Sequence, residues 1–183
     1  MEEQNIWTSE NVQTEILKTI KTIGQKISEF DFSIYDANDS VFLKLNKLDN
    51  LYRITDNIIN QISKHEDVKE QHIENIHYLI ITLLCIVCVR GDEEIEQEKI
   101  KNVLKEIGSF LISKNKKYGN AALNPCRIFS TADKMEQLYV RCDDKLNRIK
   151  NRQNDEDEDP IKDLIGYLIL IDVCKKLTNV NYY

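Results

Sequence analysis

Three short segments carry residue types that could do chemistry at a usable spacing. In DPIKDLIGY (159–167), Asp159 and Asp163 stand four residues apart and share one face if the segment is helical. Glu70 and Glu74 repeat that spacing, again followed four residues later by a tyrosine. Hard divalent cations take several carboxylate oxygens, and magnesium bridges such carboxylates to substrate phosphates. The pattern therefore predicts a magnesium ion held by Asp159, Asp163, Glu70 and Glu74, with Asp159 and Asp163 as the catalytic acids. Asp159-Pro160 also reads as a helix start, an N-cap followed by proline in the first turn, and that reading requires no metal.

The second segment is DKLNR (144–148). It puts Asp144 and Arg148 on one helical face with Lys145 beside them. Lys145 and Arg148 are suited to phosphates, as a point charge and a forked donor. A plain helical ion pair between Asp144 and Arg148 is the alternative. The third segment is KKYGN (116–120), where Tyr118 can stack on a base and Asn120 can read its edge. Helix termination at Gly119, with lysines at the negative helix end, accounts for the same residues without a ligand. His65, His72 and His77 lack metal-ligand spacing and read as structural or surface residues.

These segments need elements to hold them, and the chain predicts helices. Apolar residues recur at spacings of three and four, and five glycines and two prolines leave few turns. Six helices are expected, near 9–30, 40–64, 67–90, 93–115, 131–152 and 159–178, with loops at 31–39, 116–130 and 152–158. The fold class is all-α. KLDNLYRI (47–54) is similar to CDDKLNRI (142–149), and Glu70-to-Ile80 is similar to Asp159-to-Ile169. This internal similarity suggests two three-helix repeats, residues 1–91 and 92–183, packed as a pseudo-two-fold bundle around one core. Glu70 and Glu74 could then converge with Asp159 and Asp163.

Composition narrows the function classes. A net charge of −6 and the lack of a dense basic cluster argue against duplex DNA as a partner. The part after residue 91 is nearly neutral, with basic spots at Lys114, Lys116 and Lys117, which suits a small anionic ligand. Five cysteines include Cys85 and Cys88 in an apolar helical run without zinc-site partners, which predicts buried thiols in a reducing cytoplasm. The acidic, polar N-terminal residues do not read as a signal peptide. YLIITLLCIVCV (78–89) is too short to span a bilayer, so no membrane partner is expected.

Taken together, NKKYGNA (115–121), VRCDDKLNRIKN (140–151) and EDPIKDLIGYLIL (158–170) resemble the nucleotide modification associated domain family of phages and bacteria. Its members carry a K-x-x-YG-N/D segment, a DKxxR helix and then E-D-T-x-x-D-L-x-x-Y. That family is similar to the all-α nucleoside triphosphate pyrophosphohydrolases of the MazG and dimeric dUTPase type, which cleave between the α and β phosphates with magnesium. The resemblance implies that Glu158 joins Asp159 and Asp163 in a magnesium-binding acidic cluster. It also implies that Lys145 and Arg148 hold phosphates and that Tyr118 and Asn120 lie beside the base. Pro160 replaces the family's threonine, and the first repeat lacks the glycine of YG and the lysine of DKxxR.

Three readings follow. The first is a magnesium-dependent nucleotide pyrophosphohydrolase acting in the cytoplasm of a bacterial or phage-infected cell. The second is a non-catalytic protein that sequesters a nucleotide signal in counter-defence. The third is a helical scaffold whose acids are caps and surface residues. Assembly as a homo-oligomer is compatible with each.

Overall fold

The computed structural model describes residues 7–36, 45–64, 69–90, 94–124, 128–153 and 158–179, and those residues are helical without strands. The six α-helices are α1 (Ser9–Glu29), α2 (Lys47–Lys64), α3 (Lys69–Val89), α4 (Gln97–Tyr118), α5 (Lys134–Lys150) and α6 (Pro160–Asn179). A 3-10 turn at Phe32–Tyr35 follows α1. Met1–Lys21 with Lys105–Tyr183 forms one compact unit, and Thr22–Leu104 forms the other. Both boundaries fall inside helices, α1 and α4, so these units do not coincide with the halves 1–91 and 92–183 suggested by the internal similarity.

Caps account for where the helices begin. The Asn46 side chain accepts the Asp49 amide at 2.8 Å, so α2 starts at Lys47 rather than near residue 40. The Asp133 side chain accepts the Glu136 amide at 2.8 Å, an acid three residues after the cap, and α5 starts at Lys134. Gly119 (φ 58°) and Asn120 (φ 66°) are both left-handed and end α4 at Tyr118. Glycine reaches that region without penalty, and asparagine is among the side chains that tolerate it best. The loop expected at 116–130 therefore begins three residues late.

In the Thr22–Leu104 unit, α2 packs on α3. The stripe Leu51, Thr55, Ile58 is buried at the spacing of a half-buried helix. By contrast, α3 is buried on nearly every side from Ile76 to Val89, including Cys85 and Cys88. Its window His72–Val89 is 18 residues and apolar enough to cross a membrane, longer than the run 78–89 suggested. However, 67% of that window is already buried within the protein, as a core helix requires. The Tyr35 hydroxyl bonds Thr82 Oγ1 at 2.9 Å, and Asn50 Nδ2 donates to the Tyr35 carbonyl at 2.8 Å. Phe30 contacts Phe32, Tyr35 and Tyr78 at ring distances of 5.0 to 5.6 Å. The Gln97 amide donates to the Ile27 and Ser28 carbonyls at the end of α1.

In the other unit α5 packs on α6, and α6 is apolar almost all round. One polar knot interrupts it. The Thr19 hydroxyl donates to Asp172 Oδ2 at 2.9 Å, while Lys176 Nζ reaches the same oxygen at 2.7 Å and Thr19 Oγ1 at 3.0 Å. Thr19 and Asp172 are fully buried.

Candidate functional site

The unit formed by Met1–Lys21 and Lys105–Tyr183 contains a cavity of about 1010 Å³. Helix α4 supplies Glu106, Phe110, Lys114 and Tyr118, spaced four apart, so one face of a single helix forms one wall. The left-handed turn after α4 adds Asn120 to Leu123. Opposite, α6 and the residues before it contribute Glu158, Asp159, Lys162, Asp163 and Tyr167, and α5 contributes Arg141. Gly166 allows α6 to approach α4 closely, because a Cβ there would lie 3.3 Å from Leu111 Cδ2.

The structure thus gathers Tyr118, Asn120, Glu158, Asp159 and Asp163 around one space. Lys145 and Arg148 do not line it. They stand behind the acids: Lys145 Nζ lies 3.0 Å from Asp163 Oδ2, 3.7 Å from Glu158 Oε2 and 4.0 Å from Asp144 Oδ2. Arg148 donates to Glu158 Oε2 at 2.7 Å. Lys145 is only 9% exposed, so these carboxylates supply the compensation that a buried ammonium requires. The hydrogen bond from Arg148, and then the Lys145 charge, hold the Glu158 carboxyl below its usual range. Lys145 and Arg148, assigned to phosphate, are thus paired with Glu158 and Asp163, two of the acids assigned to metal.

Asp159 has a structural duty. Its Oδ1 accepts the Ile161 amide at 2.9 Å and the Lys162 amide at 3.4 Å, capping α6 with Pro160 in the first turn. Asp159→Ala should therefore cost about 1 kcal/mol and Asp159→Asn much less, which urea denaturation of the three proteins would show. Equal stability of all three would deny the cap. Asn120 is also structural: Nδ2 donates to the Trp7 carbonyl at 2.8 Å, and Oδ1 accepts from Asn115 Nδ2 at 2.8 Å. The residue is 4% exposed and shapes the cavity wall. Tyr118 is 56% exposed, with the Lys117 ammonium over its ring, 5.2 Å from the ring centre.

Glu74 belongs to the Thr22–Leu104 unit, where it forms an ion pair with Lys26. Glu70 lies in α3, but its side chain, like all of His65 and Cys126, falls outside the described residues. Among the described residues no group of three or more His, Cys, Asp or Glu side chains is arranged to hold a metal ion. The candidate acids also do not fit magnesium as arranged, because Asp163 and Glu158 share a lysine ammonium and Asp159 caps a helix.

Sequence reasoning passed over Phe110, Arg141 and Lys162 and named Lys114 only as a basic spot. The detectable signal was Phe110, Lys114 and Tyr118 at four-residue intervals, two of them large aromatics in a helix with an otherwise charged outer face. Phe110 is 52% exposed, with Lys114 Nζ 4.5 Å from its ring centre. The Arg141 guanidinium lies 5.9 Å from the Tyr167 ring centre.

No family profile, curated protein sequence or solved structure matches this chain.

Proposed function

We propose that this cavity binds a small nucleotide-class anion and retains it without hydrolysis. One observation carries the reading: Lys145 and Arg148, from outside the cavity, neutralise Asp163 and Glu158 on its wall. Among the lining residues alone, three cations (Lys114, Arg141, Lys162) face four acids (Glu106, Glu158, Asp159, Asp163). Counting Lys145 and Arg148, together with Asp144 that shares Lys145, five cations stand against five acids, so the two cations behind the wall remove its acidic excess. Among the described residues Lys114, Arg141 and Lys162 form no ion pair, and although the Lys114 charge helps to lower the Glu158 carboxyl from a longer distance, all three can meet a phosphate. Tyr118 offers an exposed ring for a base, and stacking of that kind tolerates any base.

Binding is supported over turnover because the carboxylates a magnesium ion would need are occupied by protein cations and a helix cap. Sequestering a nucleotide signal is the role that such chemistry serves. The buried thiols Cys85, Cys88, Cys142 and Cys174 suit a reducing compartment.

The test is incubation of the purified chain with a nucleotide panel, with and without magnesium, then chromatography and mass spectrometry of the retained and free fractions. The expected result is an intact nucleotide retained whether or not magnesium is present. Lys114→Glu with Lys162→Glu should weaken retention at least tenfold. Nucleoside monophosphate and pyrophosphate formed only with magnesium would overturn the proposal and return Asp163 to a catalytic role. Failure to retain any nucleotide would leave the helical scaffold.

A further inference from the structure

Resting on that reading, we infer that the ligand carries two bases joined through phosphate, a dinucleotide, with one base on Phe110 and the other on Tyr118. Both rings line the cavity and both are about half exposed. They stand eight residues apart on α4, so their Cα atoms are about 12 Å apart along the helix axis. A single base cannot cover both rings, and two bases stacked on each other are only about 3.4 Å apart. Two splayed bases, each stacked on its own aromatic side chain, fit the spacing, which is how proteins commonly take single-stranded nucleotides.

Lys114 falls midway between the rings at one helical turn from each, where the linking phosphate of such a ligand would lie. Its ammonium rests 4.5 Å from the Phe110 ring centre, so moving to a phosphate requires only a side-chain rotation. Lys162 and Arg141 on the facing elements offer further charge. A volume of about 1010 Å³ is at the upper end for a small-molecule site, generous for a mononucleotide.

The experiment is calorimetric titration of the full chain with five probes. They are adenosine mono- and triphosphate, a 5′-phosphorylated linear diadenylate, a 3′,3′-cyclic diadenylate, and a linear octaadenylate. We expect at least one diadenylate to bind ten or more times tighter than either mononucleotide. Phe110→Ala and Tyr118→Ala should each weaken it by about tenfold, while Phe110→Tyr and Tyr118→Phe leave it nearly unchanged. Both positions are exposed enough for these variants to fold, which their circular dichroism checks.

Equal affinity for mononucleotide and diadenylate, or sensitivity to only one of the two alanine changes, would overturn the two-base inference and leave nucleotide binding intact. Tighter binding of the octaadenylate would overturn it in favour of a single-strand surface. No binding of any probe would remove the nucleotide reading itself.

Discussion

Replacing Lys176 by methionine lowers stability by about 3 kcal/mol, and replacing Asp172 by leucine costs clearly less. The asymmetry follows from burial. The Asp172 side chain is 1% exposed, while that of Lys176 is 34% exposed. Without Lys176, a carboxylate inside α6 loses the cation 2.7 Å from its Oδ2 and keeps the charge in a low-dielectric interior. Without Asp172, the lysine stem carries its ammonium to water, and the Thr19 hydroxyl loses an acceptor worth about 1 kcal/mol. Joining both substitutions should recover part of the loss of Lys176→Met, because an apolar pair fills the site without an uncompensated charge. Urea midpoints at unchanged slope measure all three. Equal losses for the two single variants would mean that water already screens the pair.

Stability also falls steeply above pH 9. Burial pushes the Cys142 thiol from an ordinary 9.0 up to about 12, and pushes Cys85 higher still. Cys174 is raised by burial too, with the hydrogen bond to Thr178 acting in the opposite direction. In the unfolded chain these thiols release their protons from about pH 9, while the folded chain retains them. The unfolded state then binds fewer protons, so each such thiol removes about 1.4 kcal/mol of stability per pH unit, continuing for Cys142 until about pH 12. Below about pH 8 the same thiols are almost fully protonated in both states and contribute little slope. Denaturant titrations at pH 9, 10 and 11 should show the decline, and Cys142→Ala should remove about 1.3 kcal/mol of it between pH 10 and 11. An unchanged slope in that variant would place the alkaline sensitivity elsewhere.

The helices were legible because caps and periodicity are local. Asp159-Pro160 and Gly119 announce their helix ends within two residues, and the expected segments match six observed helices apart from shifts of a few residues. The larger shift, at α2, arose because Asn46 caps by reaching the Asp49 amide, and an asparagine in an Asn-rich chain does not stand out. The cavity was half legible. Tyr118, Asp159 and Asp163 were found from spacing along single helices. The contact of Lys145 with Asp163 was not, because it depends on how α5 and α6 are aligned, and neither segment carries that alignment in its own pattern. Phe110 escaped because one exposed aromatic on an amphipathic helix has meaning only once Lys114 and Tyr118 are seen on the same wall. The units 1–21 with 105–183 and 22–104 were hidden for a related reason: their boundaries lie inside α1 and α4, where nothing in the local pattern changes.

Trp7, the chain's single tryptophan, hands its carbonyl to Asn120 and lies under the Lys134 ammonium, 3.7 Å from its ring centre. Its indole emission is therefore an optical signal from the unit that contains the cavity. Far-ultraviolet dichroism, by contrast, averages every helix in the chain. Superimposed melting curves from the two signals would make the chain one cooperative system. Separated curves would resolve two transitions in a single polypeptide, with tryptophan emission following the unit that holds the ligand cavity.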